Sequence, residues 1–250
     1  EAFSNFKEDE GYKNFVQQSW VYTYAVFLTL KKANGMQCWN DWPEECKQWI
    51  HTRDEAVIAE YDEQIRYEMF VQYTLYRQWK KLKDYTNKKG IQILGDVPFY
   101  VGIDSEDVWS SQKSFLLDDD GRPTFIAGVP PDYFSETGQR WGNPIYDWTA
   151  LRDNNFKFWV DRLAYSAELF DIIRIDHFRA FDTYWKIPSS CPTAIDGVWM
   201  EAPGYELFDE VFEQYPDMKI VAEDLGIIED GVRALLKETG YPGMKVFEFA

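Results

Sequence analysis

The stretch that decides the fold is DIIRIDHFR, residues 171–179. An apolar run of strand length ends there in Asp176 and His177, and Arg174 stands two positions before the carboxylate. Side chains two positions apart share one face of a strand, so this arginine can aim Asp176 and favour its ionised form. The stretch therefore predicts a buried strand that delivers a nucleophilic carboxylate at its end. A purely structural ion pair would give the same pattern, and that alternative stays open at this point.

Other apolar runs on either side repeat this arrangement. The run Met218 to Ala222 is followed by Glu223, and the run Ile91 to Pro98 carries Asp96 close to its end. A last strand is predicted over residues 244–249. The predicted helices between these runs cover residues 152–169, 204–214 and 230–239.

This alternation of strands and helices indicates an α/β fold with a parallel core, in which all the strands end on one face. A partial (β/α)8 barrel is favoured over a doubly wound sheet, because no glycine-rich phosphate turn follows the first strand.

Two carboxylates at neighbouring strand ends have a definite chemical use. Asp176 and Glu223 would face one sugar, as a nucleophile and an acid/base must in a retaining glycosidase. Glu223 follows an apolar strand, which suits a group that exchanges a proton. It could instead cap the next helix, a role that Asp224 or Glu229 could also fill. The pair carries more weight than either residue alone.

The chain is predicted to contain two domains. Residues 1–90 have helical patterns and form a predicted helical subdomain, inserted in the barrel or preceding it. Its longer predicted helices run from Gly11 to Lys32 and from Asp54 to Lys88, with a short helix between them. Residues 91–250 form the predicted catalytic barrel. Within it, residues 110–148 are rich in Gly, Pro and Asp and are predicted to be a long active-site loop.

The composition argues against several classes of partner. A net charge of −17 argues against nucleic acid, which needs a basic face, and no apolar run is long enough to span a membrane. Two His and three Cys offer little to a metal site, so no metal or cofactor is expected. The odd number of cysteines and an acidic start unlike a signal peptide favour the cytoplasm. The 11 Trp, 16 Tyr and 18 Phe either pack the core or stack against sugar rings.

Five motifs together resemble one known family. The motifs are GDVPFYV (95–101), GVPPDYFS (128–135), TGQRWGNP (137–144), RIDHFR (174–179) and AEDLG (222–226). They resemble the 4-α-glucanotransferases, also called amylomaltases or disproportionating enzymes, of the α-amylase superfamily. The resemblance extends over residues 90–250 and is weaker over the N-terminal helices.

The resemblance implies a (β/α)8 barrel that transfers α-1,4-glucan segments between maltooligosaccharides by double displacement. Asp176 would match the family's nucleophile and Glu223 its acid/base. A mobile loop over residues 128–143 would cover the cleft. The other substrate contacts that the resemblance implies are Asp96, Arg174 and His177 around the cleaved bond, Tyr133, Phe134, Gln139 and Trp141 on the loop, Asp224 beside the acid/base, and Phe249 lining the cleft.

The resemblance also implies that the chain is an internal fragment of the catalytic domain. Barrel strands three to six would lie within it, two earlier strands before Glu1, and a third catalytic aspartate beyond Ala250. We expect such a fragment to be inactive alone and to self-associate through unpaired strand edges. Two other functions stay open, a hydrolase of the same superfamily and a non-catalytic glucan-binding module.

Overall fold

The computed structural model describes residues 2–133, 135–225 and 228–247. It divides into two compact units, one of Glu1–Asp84 with Ile103–Ser110 and one of Tyr85–Gly102 with Ser111–Ala250. Among the residues described, no helix combines the length and the apolar character that crossing a membrane requires.

The first unit is helical. Its helices are α1 (Glu10–Phe15), α2 (Ser19–Ala33), α3 (Glu44–Thr52), α4 (Asp62–Lys88, whose last turn belongs to the other unit) and α5 (Glu106–Ser110). Its core is aromatic, because Trp49 and Trp109 stack with ring centroids 5.9 Å apart and Phe27 packs against Trp109 at 5.6 Å. These rings are buried, so they fill the interior and are not platforms for sugar.

Two helix boundaries in this unit differ from the prediction. Residues 11–32 form parts of two helices, because the backbone is extended at Gln18 between α1 and α2. The break lets two aromatic residues of α1 pack on Tyr73 of α4, with ring centroids 5.4 and 5.7 Å apart. The long helix begins at Asp62, because the carboxylate of Asp54 accepts a backbone N–H two residues on and starts a short 3-10 turn instead.

The second unit contains a parallel sheet and an antiparallel sheet. Its strands are β1 (Leu94–Pro98), β2 (Phe125–Val129), β3 (Gln139–Pro144), β4 (Ile172–Asp176), β5 (Thr183–Pro188), β6 (Val198–Glu201) and β7 (Ile220–Ala222). Its further helices are α6 (Trp148–Asp153), α7 (Lys157–Leu169), α8 (Gly204–Gln214) and α9 (Asp230–Thr239).

The parallel sheet confirms the strands predicted from the apolar runs. Within the described residues its order is β1-β4-β7, so the stretch DIIRIDHFR, residues 171–179, contributes the central strand. Ile173 and Ile175, which share one face of this strand, are almost completely buried, whereas the residues of the other face are only partly buried. The start of β4 is fixed by the carboxylate of Asp171, which accepts the Ile93 N–H at 2.7 Å and the Asn87 amide N–H at 2.8 Å.

The predicted loop over residues 110–148 is wrong in one respect, because it contains two strands. β2 and β3 form an antiparallel pair, and β5 and β6 extend it to a sheet of order β3-β2-β5-β6. Glycine and proline within β2 and β3 weaken the strand signal, and the exposed first half of β3 has no apolar alternation. The two strands are stabilised by their pairing with each other and, through β2, with β5, which the sequence pattern does not reveal.

Two further predictions in this unit are corrected. Residues 152–169 contain a break between α6 and α7, where Asn155 and Phe156 both have positive φ. The strand predicted over 244–249 is not formed by residues 244–247, and residues 248–249 lie outside the described part of the chain. Pro242 has no N–H to give to a ladder, and the N–H of Met244 is taken by a side chain.

Replacing Gly95 of β1 with alanine tests the packing that places the site. A Cβ at this position would lie 2.1 Å from the ring of Phe170, so the ring or the strand would have to move. We expect Gly95→Ala to lower the free energy of unfolding by about 1–3 kcal/mol, because overpacking forces side chains off their rotamers. Urea unfolding measures the change.

The matched control is Gly102→Ala, since a Cβ there meets no atom within 4 Å. We expect that variant to stay within about 0.5 kcal/mol of the parent protein. Equal midpoints for the two variants would contradict the tight packing of β1 on Phe170.

Candidate active site

Three acidic side chains meet at the carboxyl edge of the parallel sheet. Asp96 lies in β1, Asp176 ends β4, and Glu223 directly follows β7. Ile175 is paired with Ala222, so the next residues on the two strands, Asp176 and Glu223, are neighbours across the sheet. The ladder continues beyond the strands, because the Glu223 N–H donates to the Ile175 carbonyl at 2.9 Å. The predicted convergence of the strand ends is therefore present.

Arg174 links two of these carboxylates. Its Nη1–H donates to Asp96 Oδ1 at 2.6 Å, and its Nη2–H donates to Asp176 Oδ1 at 2.7 Å. The arginine side chain is 20% exposed, whereas the carboxylates of Asp96 and Asp176 are 61% and 47% exposed. Burial acts to lower the pKa of Arg174, but the two carboxylates outweigh it and the pKa is raised. A permanent cation therefore aims two accessible carboxylates.

Glu223 is held by the main chain. Its Oε2 accepts the backbone N–H of His177 at 2.9 Å, and its Oε1 accepts the backbone N–H of Leu225 at 2.8 Å. His177 has a left-handed backbone conformation with φ 56°, which is uncommon for a residue with a side chain. This conformation follows the end of β4 and accompanies the contact between the His177 N–H and Glu223. Both oxygens of the carboxylate are thus oriented by fixed donors.

The His177 imidazole is neutral at neutral pH. Burial, together with the charge of Arg179, lowers its pKa from 6.5 to about 4, against a smaller opposing effect of Asp176. The Trp141 ring meets the imidazole edge-on, with centroids 5.0 Å apart, and the Tyr100 ring lies 6.2 Å away. A neutral imidazole in this position can donate one hydrogen bond and accept another.

The hairpin of β2 and β3 brings two of the predicted loop residues to the site. Gln139 and Trp141 lie two positions apart on β3, and the Trp141 indole N–H donates to Gln139 Oε1 at 3.1 Å. The Trp141 side chain remains 40% exposed beside His177. Tyr133 is not brought into the site in the same way, since it is 98% exposed in the β2–β3 connection. Phe134 and Phe249, the other aromatic residues predicted for the cleft, lie outside the described residues.

Sequence reasoning missed several contacts of the site. Asp224 Oδ1 accepts the backbone N–H of Met244 at 2.7 Å, so part of this carboxylate is occupied by the protein itself. The Met244 sulfur in turn accepts the Nε–H of Arg174 at 3.2 Å. Tyr100, which packs beside His177, stands in the GDVPFYV motif and could have been found there. Nothing in the local pattern marks Met244, because its partner is 70 positions away.

Comparison with known proteins identifies the family of this chain. A family model described as 4-alpha-glucanotransferase matches residues 1–250. Two curated 4-alpha-glucanotransferases, from Thermus thermophilus and Clostridium butyricum, are 46% and 44% identical to the chain over 254 residues. These alignments cover 100% of the chain and 49% and 52% of the two relatives.

A solved structure gives the same result. The amylomaltase from Streptococcus agalactiae in complex with acarbose aligns with a TM-score of 0.90 and 42% identity, covering 95% of this chain and 48% of that one. The chain belongs to the 4-α-glucanotransferase family, which confirms the resemblance found in its motifs. It spans about half the length of the curated relatives it matches.

The neutral state of His177 can be tested by titration. We expect the imidazole signals of His177 in NMR to titrate with a pKa of about 4, assigned by their loss in His177→Gln and separated from His51 by His51→Gln. Because the pKa is lower in the folded state, the unfolded state binds the proton first as pH falls. This histidine therefore costs stability as pH drops from 6.5 to about 4.

The same variant tests the linkage to stability. Comparing the free energies of unfolding at pH 7 and pH 4.5, we expect a smaller loss in His177→Gln than in the parent protein. A midpoint near 6.5 in the NMR titration, or equal losses in the two proteins, would contradict the buried neutral imidazole.

Proposed function

We propose that the protein carrying this chain is a 4-α-glucanotransferase, which moves α-1,4-glucan segments from one maltooligosaccharide to the 4-hydroxyl of another. The observation that carries the proposal is the pair of Asp176 and Glu223 at adjacent strand ends, each held by its own set of donors. A retaining double displacement needs such a pair on one sugar. Maltooligosaccharide as substrate also agrees with the acarbose bound to the amylomaltase of similar structure.

In the first step, Asp176 attacks the anomeric carbon while Glu223 gives its proton to the oxygen of the breaking bond. The shorter glucan leaves, and the donor segment becomes an ester of Asp176. In the second step, the acceptor 4-hydroxyl attacks the same carbon, Glu223 takes its proton, and the Asp176 carboxylate is restored. Arg174 aims the Asp176 carboxylate for its attack in the first step, with Asp96 as the second anchor of the arginine.

Neutral His177 suits the sugar hydroxyls beside the reacting carbon. It can donate a hydrogen bond without adding a second positive charge next to Asp176. We propose that Asp96 also contacts these hydroxyls, since its carboxylate is more exposed than that of Asp176. Asp224 has one oxygen occupied by Met244, so its proposed contact with glucan would use the other one.

Transfer rather than hydrolysis requires that water be kept from the ester until an acceptor arrives. We assign this role to the β2–β3 hairpin and its connection, residues 128–143. Trp141 supports the assignment, because its half-exposed ring lies against His177 and can stack on a glucose unit. Gln139, which the same indole orients, would bind a sugar hydroxyl. Tyr133, Phe134 and Phe249 complete the aromatic contacts that we propose for the glucan.

We also propose how the chain fits the whole enzyme. The parallel strands and their helices would form an arc of a (β/α)8 barrel over residues 91–250, with residues 1–90 as a helical subdomain. The parallel order β1-β4-β7 supports this arrangement. A third carboxylate from a later strand would complete the site. A cytoplasmic location agrees with three cysteines in the thiol form, Cys38, Cys46 and Cys191.

Replacing Asp176 and Glu223 separately tests both roles in the full-length protein. We expect Asp176→Gly to lower disproportionation of maltotriose by roughly 10⁴-fold, and Glu223→Ala by roughly 10²–10⁴-fold. With α-maltosyl fluoride and azide, Glu223→Ala should give the α-azide, because azide attacks the ester of Asp176. Asp176→Gly should give the β-azide, because azide displaces fluoride directly.

The anomeric configuration of the two azides is read by NMR, and Glu229→Gln serves as a control that should yield neither. Unchanged disproportionation in Asp176→Gly would remove the mechanism. If the parent protein releases glucose without forming longer glucans, it is a hydrolase. If it binds maltooligosaccharide without turnover, it is a binding module.

Replacing Trp141 tests the hairpin as a barrier to water. We expect Trp141→Ala to raise the ratio of hydrolysis to transfer roughly fivefold or more, because water then reaches the ester sooner. Trp141→Phe should keep most of the transfer. The control is Tyr205→Ala, which removes an aromatic side chain of similar exposure (45%) from α8. Product analysis with maltotriose gives the ratio, and an unchanged ratio in Trp141→Ala would reject this role.

A further inference from the structure

We propose that Met244 is a positioning residue for the nucleophile Asp176, because it holds the Nε–H of Arg174 in place. The proposal rests on the function proposed above, because it explains how the Asp176 carboxylate keeps the orientation that the reaction needs. Arg174 has three groups of donors, and the two terminal nitrogens are bound to Asp96 and Asp176. The remaining Nε–H donates to the Met244 sulfur at 3.2 Å.

The geometry of a guanidinium explains why the third contact matters. Its five N–H groups lie in one plane, so hydrogen bonds from the two terminal nitrogens alone still allow the group to shift within that plane toward either carboxylate. A third hydrogen bond, from the Nε that joins the guanidinium to the rest of the side chain, prevents this shift. Met244 therefore fixes where Nη2 stands, and with it the direction of the Asp176 carboxylate.

Met244 can do this because the segment that carries it is fixed. Its backbone N–H donates to Asp224 Oδ1 at 2.7 Å, and the Pro242 carbonyl accepts the N–H of Ala222 at 2.9 Å. Gly243 lets the carboxylate come this close, since a Cβ there would meet Asp224 Oδ2 at 2.3 Å. The acidic residue next to Glu223 thus acts on the nucleophile through Met244, in addition to any contact with glucan.

A thioether suits this position better than a stronger acceptor with a charge. Arg174 already faces two carboxylates, and a third anion would draw the guanidinium away from Asp176. Sulfur accepts a weak hydrogen bond without charge, so it orients the arginine and leaves its positive charge to the two carboxylates.

The test compares Met244→Leu, which removes the acceptor, with Met244→Gln, which replaces it by an uncharged amide oxygen. In the full-length protein we expect Met244→Leu to lower kcat for maltotriose disproportionation roughly tenfold, or about 1.4 kcal/mol, with little change in KM. Met244→Gln should restore kcat to nearly the parent value, with KM again little changed.

The control is Met218→Leu, which replaces a partly buried methionine two residues before β7 and should change neither kcat nor KM. Equal losses in Met244→Leu and Met244→Gln would show that only packing matters there, which would overturn the proposal. Parent-like kcat and KM in Met244→Leu would also overturn it.

A second measurement does not depend on activity. The Nε–H of Arg174 gives an NMR signal, assigned by its loss in Arg174→Lys. We expect its exchange with water to be roughly tenfold faster in Met244→Leu than in the parent and in Met244→Gln. If the parent protein fails to disproportionate maltotriose, the proposed function fails, whereas unequal exchange in the two variants still supports the contact. Equal exchange in all three proteins overturns it.

Discussion

The charge of Arg174, placed between two carboxylates on neighbouring parallel strands, is the interaction on which the site depends. Two like charges at adjacent strand ends repel each other, and both are accessible to water. The guanidinium offsets this repulsion, and its two hydrogen bonds fix the positions of both carboxylates at the edge of the sheet. The burial of Ile173 and Ile175 on either side holds the strand that presents it. The packing that buries the central strand therefore also places the arginine that orients Asp176.

Local sequence patterns predicted the parts of the structure whose causes are local. The contact of Arg174 with Asp176 follows from a spacing of two on a strand, and the end of α9 at Gly240 follows from the left-handed conformation that glycine adopts easily. The neighbouring position of Glu223 required one further inference, that alternating strands and helices give a parallel sheet. These steps use only spacing, apolar character and the properties of single residues.

The features that were missed depend on partners far along the chain. The second anchor of Arg174 is Asp96, which is 78 positions away and is set by the register of β1 on β4. The antiparallel sheet was missed because β2 and β3 are stabilised by their pairing with each other and, through β2, with β5, and not by an apolar alternation of their own. The predicted strand at 244–247 was wrong because an acidic side chain, Asp224, takes the N–H that a ladder would need.

The two carboxylates that we propose as catalytic are oriented by different kinds of group, and this affects how the orientation of each responds to mutation. Glu223 is held by the main-chain N–H groups of residues 177 and 225, a group that every amino acid except proline has. Asp176 is held by the side chain of Arg174, which no other residue type reproduces. The orientation of Glu223 thus tolerates substitutions that keep the backbone conformation, including the left-handed one at residue 177, whereas proline at either position would remove a donor. The orientation of Asp176 instead depends on the identity of a neighbouring side chain.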